Sequence, residues 1–183
     1  MKNAIRGAVL GLAVLASAQA AQAQGVSVGV GGGVVVPSGD LADGTSMGYS
    51  GTAQLRVKPP ASPLGLQVDA FYTRFGLDGI DGHTRMIGGT ANAVYAMPSA
   101  STARPYVIGG VGIYNSKATI DGLGSSESQS KFGLNAGAGF DFGLGSASLF
   151  AEGRFHMIMK ALTDVNGDEK AAYMIPLTVG LRF

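Results

Sequence analysis

Residues 172–183 read AYMIPLTVGLRF, and their alternation sets how the rest of the chain is read. Tyr173, Ile175, Leu177, Val179, Leu181 and Phe183 fall on one side of an extended backbone. Met174, Pro176, Thr178, Gly180 and Arg182 fall on the other. A period of two marks a β-strand, whose successive side chains point to opposite faces. The run is longer than the usual globular strand of about 5–6 residues. It suits a tilted strand crossing a bilayer, which takes about 9–11 residues.

Working back from this segment, seven more of similar length appear. Together the eight are 25–36, 47–57, 64–75, 84–97, 105–116, 130–142, 147–158 and 172–183. In the second, Tyr49, Gly51, Ala53, Leu55 and Val57 alternate with Ser50, Thr52, Gln54 and Arg56. In the third, Leu64, Leu66, Val68, Ala70 and Tyr72 alternate with Gln67, Asp69, Phe71 and Thr73. The sixth sets Phe132, Leu134, Ala136, Ala138, Phe140 and Phe142 against Gly133, Asn135, Gly137, Gly139 and Asp141. The seventh sets Ala151, Gly153, Phe155 and Met157 against Glu152, Arg154 and His156. The first carries Val26, Val28, Val30 and Val34 on one face, and the fourth carries Ile87, Ala91, Ala93 and Tyr95. In the fifth the phase is open: Val107, Val111 and Ile113 compete with Tyr106, Ile108 and Tyr114. Arg74 is phased with an apolar set and must either reach up to headgroups or follow a bulge.

Composition agrees with a lipid-facing surface. Only 14% of the 183 residues are charged, against about a quarter in soluble domains. A formal net charge of +1 gives no footprint for nucleic acid. Cys is absent, which excludes thiol chemistry and a disulfide framework. The start, MKNAIRGAVLGLAVLASAQAAQA, has Lys2 and Arg6 ahead of an apolar run from Ala8 to Ala16. It ends in Ala21-Gln22-Ala23, a small-x-small cleavage pattern. Residues 1–23 are therefore expected to be a cleaved export signal, with a cut after Ala20 as the alternative. Loss of Lys2 and Arg6 would take the net charge from +1 to −1. Residues 24–183 are left as one domain, with no apolar helix of the ~20 residues a span needs.

Connections alternate as well. Gaps 37–46, 76–83, 117–129 and 159–171 are longer and acidic, whereas 58–63, 98–104 and 143–146 are tight and rich in Pro, Gly and Ser. Nine of the twelve acidic residues fall in the long gaps: Asp40, Asp43, Asp78, Asp81, Asp121, Glu127, Asp164, Asp168 and Glu169. Long outer loops with short periplasmic turns are the habit of transmembrane β-barrels. In lipid every backbone N–H and C=O must be paired within the protein, so a closed sheet is required where no helix spans. The expected fold is all-β, an eight-stranded antiparallel up-and-down transmembrane barrel with both ends on the periplasmic side. Eight strands leave an interior just wide enough to be filled by side chains. Arg56, Asp69, Asp141, Glu152, Arg154 and His156 are expected there as a lumen network, with opposite charges paired because unpaired buried charge is costly. That predicts a plugged lumen. Tyr49, Tyr72, Tyr95, Tyr114 and Tyr173 are expected in interfacial aromatic belts.

The patterns PLGLQVDAFYTRF (63–75), RPYVIGGVGIY (104–114) and KFGLNAGAGFDFGLG (131–145), with the terminal Phe183, resemble the OmpX/OmpA-type, opacity-protein-like family of eight-stranded outer-membrane barrels. The resemblance covers nearly all of the chain after the leader. It implies location in the outer membrane, contact with its lipid and lipopolysaccharide, and delivery by periplasmic chaperones to the barrel-assembly machinery. Tyr173, Val179, Leu181 and Phe183 would form the assembly signal. A monomer without cofactor, metal or enzymatic activity is expected, in a structural or surface-interaction role. No peptidoglycan-binding domain is expected after the last strand.

Rival chemistry is weak in the residues. Asp164 to Glu169 opens like a calcium loop, but Glu169 and Ile175 stand where Gly and Glu are needed. Gly29 to Gly33 and Gly109 to Gly112 lack the Lys-Ser/Thr pair of a phosphate loop. His83 reads as a loop surface residue. His156 beside Arg154 and Glu152 leaves open a lipid A-modifying enzyme. Barrel deacylases carry a Ser two residues after the His, and Ile158 stands there. A soluble periplasmic ligand-binding barrel, with its apolar faces inward, is the other alternative.

Overall fold

A computed structural model describes residues 25–42, 45–76, 82–120, 124–125, 128–163 and 169–183. Eight long strands follow in chain order: β1 (Val26–Ser38), β2 (Gly48–Val57), β3 (Leu64–Gly76), β4 (Gly82–Ala96), β5 (Ala103–Ile120), β6 (Gln129–Leu144), β7 (Ala147–Thr163) and β8 (Glu169–Arg182). Each pairs antiparallel with the next. β8 pairs with β1, closing the sheet into an eight-stranded up-and-down barrel. Gly124–Ser125 folds back on the end of β5. Among the described residues no helix is long and apolar enough to cross a membrane.

The turns are made by local chemistry. Gly145 takes a positive φ of 76° in the two-residue turn between β6 and β7, a backbone state that glycine reaches without steric cost. The segments 58–63 and 97–102 make the other short connections. Backbone hydrogen bonds in both directions between Val28 and Phe183 tie the start of β1 to the residue after β8 at this turn end. β1, β3, β5 and β7 all finish at the opposite, loop end.

Register fixes the stagger of the cylinder. Stepping from Val28 through Leu55, Val68, Ala91, Val111, Leu134, Met157 and Tyr173 returns to β1 at Ser38, ten residues beyond the start. A closed sheet must carry such a shear, and the shear with strand number sets its width.

Side chains sort by phase. Leu66 is 67% exposed and Phe132 68%, and every strand contributes exposed Val, Leu, Ile, Phe, Tyr or Met to the outer face. Soluble monomers rarely expose a continuous apolar patch beyond a few hundred Å². The apolar-inward alternative is overturned by this orientation. In β5, Val107, Val111 and Ile113 point out while Tyr106, Ile108 and Tyr114 are buried, which resolves the open phase. Tyr114 is therefore no belt residue; it is 1% exposed inside the barrel. β3 and β4 run past Arg74 with unbroken register, so Arg74 points outward and not into a bulge.

Strand ends differ from the sequence reading at the loop end, where β5 reaches Ile120 and β7 reaches Thr163. Apolar alternation stops earlier, but the backbone ladder continues through polar pairs such as His83 with Thr119 and Arg85 with Lys117. A ladder beyond the apolar band needs no greasy face. The proposed leader 1–23, Asp43, Asp78, Asp81, Asp121, Glu127, Asp164 and Asp168 lie outside the described residues, as do the side chains of Asp40 and Glu169.

Candidate functional site

Among the described residues, the lumen is where charge is concentrated away from water. Asp69 on β3 is 3% exposed and is the hub. Its carboxylate accepts from Gln67 Nε2 at 2.7 Å, Thr90 Oγ1 at 2.9 Å, Asn92 Nδ2 at 2.7 Å and Arg154 Nη1 at 2.7 Å. Arg154 turns its Nε to Glu152 Oε1, also at 2.7 Å. Glu152 accepts a second bond from the Tyr106 hydroxyl at 2.8 Å.

A second group lies nearer the turns. Asp141 accepts from Arg56 Nη1 at 2.9 Å and is bound by Arg182 as well. Arg56 donates its Nε to Gln67 Oε1 at 2.6 Å, which joins the two groups, and Arg182 Nη2 donates to Gln54 Oε1 at 2.8 Å. The guanidinium of Arg56 lies 4.4 Å from the Tyr106 ring centre, and that of Arg182 lies 4.7 Å from that of Phe150, within cation–π range. The network thus draws on β2 through β8. β1 contributes glycine. A methyl group at Gly31 would come within 2.8 Å of Phe150 Cζ, so the bare backbone there is what lets Phe150 lie across the lumen.

All six sequence-derived lumen residues point inward. Five of them, Arg56, Asp69, Asp141, Glu152 and Arg154, are joined by the network, while His156 stands just beyond it. The His156 Nδ1 and the Tyr114 hydroxyl are 2.8 Å apart, and Phe71 and Tyr114 flank the imidazole at ring distances of 6.0 and 5.7 Å. His156 is 3% exposed, and Ile158 beside it is apolar and buried. Sequence reasoning did not single out Arg182, Tyr106, Gln54, Gln67, Thr90 and Asn92 as members. Arg182 had the right phase and a charge, so the signal for it was present. His83 sits half-buried near the start of β4 and not in a loop.

The expectation of a hydrophilic hollow holds for the ion network, which runs toward the turns past a small buried apolar group of Val94, Tyr106 and Ile108. At the loop end Val35, Phe75, Met86, Tyr114, Ile158, Ala172 and Met174 form a buried apolar cluster inside the barrel. Inward positions there lie beyond the reach of the ion pairs and fill space by contact. A cavity of about 290 Å³ opens at the turn end, lined by Arg56, Lys58, Arg104, Tyr106, Asp141 and Arg182 among others. A smaller one of about 30 Å³ lies between the network and the apolar cluster, touching Asp69, Phe71, Glu152, Arg154, His156 and Met174. Tyr173, Val179 and Leu181 lie in the outward phase of β8, with Tyr173 stacked on Phe155 at 5.5 Å.

Comparison with solved structures finds the same architecture. Neisserial surface protein A matches over 86% of this chain and 96% of its own, at 21% identity and a TM-score of 0.67. A major outer membrane protein from Thermus thermophilus matches over 86% and 97%, at 12% identity and a TM-score of 0.60. The N-terminal barrel domain of Pseudomonas aeruginosa OprF matches over 86% and 97%, at 20% identity and a TM-score of 0.50. At these identities the likeness is one of fold. No curated protein sequence matches the chain. Residues 7–183 match the outer membrane protein beta-barrel domain family, to which this chain belongs.

Proposed function

We propose that the chain is a non-enzymatic anchor, a plugged monomeric barrel that holds four short acidic loops at the outer surface of the cell envelope. The observation that carries this reading is the inverted sorting of side chains: an apolar band on every strand outside, and ion pairs inside. What supports a plug is the sequence of barriers along the axis. The turn-end cavity is floored by Arg56, Tyr106, Asp141 and Arg182, and the apolar cluster stands at the other end. A closed sheet has no edge to pair with a second copy. Against lipid A chemistry, His156 is buried inside the barrel wall and hydrogen-bonded to Tyr114.

In this reading residues 1–23 direct export and are removed. The outward row Tyr173, Val179, Leu181 and Phe183 of the last segment is what the assembly machinery reads after chaperone delivery. The test is the mature chain refolded into liposomes. It should migrate differently on gels with and without boiling, and it should leave trapped small ions in place. Steady ion leakage through folded protein would refute the plug. Extraction from cell envelopes without detergent would refute the membrane assignment. Deleting Phe183 should leave export intact while cutting outer-membrane insertion sharply; normal insertion would refute the assembly role.

A further inference from the structure

Near the loop end the outer face of one side of the barrel changes character. Register sets Tyr49 opposite Arg74, Arg74 opposite Arg85, and Arg85 opposite Lys117. Three cations therefore stand side by side on β3, β4 and β5, in the same outward phase as Tyr72, Ile87 and Ile113. Neighbouring strands are about 4.8 Å apart, so roughly 10 Å of the surface carries three positive charges. Like charges directly opposite on paired strands are destabilising. Among the described residues none of the three has a carboxylate partner; the ion pairs described all lie in the lumen. On the far side of the barrel at the same end Phe155 and Tyr173 stack, with the exposed Lys160 and Lys170 farther toward the loops.

The height of the row on the wall identifies its surroundings. Arg74 is two residues beyond Tyr72, and Arg85 two residues beyond Ile87, both toward the loops. Tyr side chains mark the membrane interface, and long cationic side chains reach from there to the headgroups. Below Ile87, the next outward positions of β4 are small. Gly89, Ala91 and Ala93 pair with Ala70, Val68 and Leu66 on one side and with Ile113, Val111 and Gly109 on the other. Val68, Val111 and Ile113 are about half exposed. A shallow strip with apolar walls thus runs down the lipid face, separated from the charges by the single side chain of Ile87.

We propose that Arg74, Arg85 and Lys117 form a docking row for the phosphate groups of an outer-leaflet glycolipid, whose acyl chains lie along the strip on β4. This deepens the reading above and rests on it. Two guanidinium groups offer forked, paired donors that match phosphate oxygens. Three adjacent charges suit a headgroup with more than one phosphate better than the single phosphodiester of a glycerophospholipid. The row is its own counter-ion problem, and a multiply phosphorylated lipid solves it from outside the chain.

The experiment uses the full mature chain and the variant Arg74→Gln/Arg85→Gln/Lys117→Gln, with native mass spectrometry in detergent. The probes are bis-phosphorylated lipid A, the same lipid A with both phosphates removed, and phosphatidylglycerol. Wild type should bind the bis-phosphorylated form at least tenfold tighter than either other lipid. Each cation removed should cost about fivefold, the equivalent of ~1 kcal/mol per cationic side chain at an anionic surface, and the triple variant should lose the preference. Lys58→Gln, at the turn end, should change nothing. Equal binding of the two lipid A forms, or an unchanged triple variant, overturns the docking row. Equal binding of phosphatidylglycerol overturns the choice of occupant. Liposome insertion and heat-dependent gel mobility are measured beside it. If both proteins insert and the preference is absent, only this inference falls; if neither inserts, the membrane reading falls and this one with it.

Discussion

Along β7, the inward side chains run Glu152, Arg154, His156 and then Ile158; along β3 they run Gln67, Asp69, Phe71, Thr73 and then Phe75. One phase of one strand passes from buried ions to buried hydrocarbon within a few residues. Toward the turns, cohesion is directional and shared: Asp69 takes four donors, and Arg154 serves two carboxylates. Toward the loops, Phe75, Met86, Ile158 and Met174 are held by contact alone. The first half should fail when a single member is removed, because the partners keep their charge and lose its compensation. The second half should respond to lost volume and little else.

The largest expected effect follows from that difference. Arg154→Met strips Asp69 and Glu152 together and should cost ~3–5 kcal/mol in equilibrium urea unfolding of the micelle-bound barrel. A loss under about 1 kcal/mol would mean that the carboxylates find other compensation, and the contrast between the halves would collapse. Replacing the trio with Leu at 69 and 152 and Met at 154 should recover most of that loss, since well-packed apolar groups often match a buried ion cluster. In the apolar half, Met174→Ala should cost ~2–3 kcal/mol, while Met174→Leu stays below about 1.5 kcal/mol. Similar losses for both would show that shape, not volume, governs that end.

Smaller effects sharpen the boundary. Gly31→Ala pushes a methyl group against Phe150 and the backbone carbonyl of Val179, and should cost roughly 1–3 kcal/mol. Adding Phe150→Leu should return part of it in a double-mutant cycle; strict additivity would show that the two do not meet. The smallest is Ile158→Val, at ~0.5–1.5 kcal/mol, read as a modest shift in unfolding midpoint with an unchanged slope.

Much of this architecture was legible without coordinates because membrane strands obey two strict rules. Alternation gave all eight segments their place, and the phase of Leu66, Phe140 and Val179 gave the outer face. The ambiguous segment was β5, where both phases carry large apolar residues: Tyr106, Ile108 and Tyr114 against Val107, Val111 and Ile113. Hydropathy could not choose, because the inward set packs against other inward apolar groups or uses its hydroxyls. The Tyr106 hydroxyl reaches Glu152 and that of Tyr114 reaches His156, contacts with no trace in local pattern. The apolar end of the lumen was missed for the same reason, since nothing local to Phe75, Met86 or Met174 says that they meet one another.

The chain's own order of residues determined the strand number, the sidedness of each strand and the set of charges that had to be hidden. Those follow from period two and from the energetic cost of a bare ion in hydrocarbon. Which charge meets which was decided only by the closed cylinder. Arg154 finds Asp69, and Arg56 finds Asp141, each across 85 residues of chain. A side chain's opposite number across the hollow depends on the ten-residue shear, and shear is a property of the closed sheet as a whole.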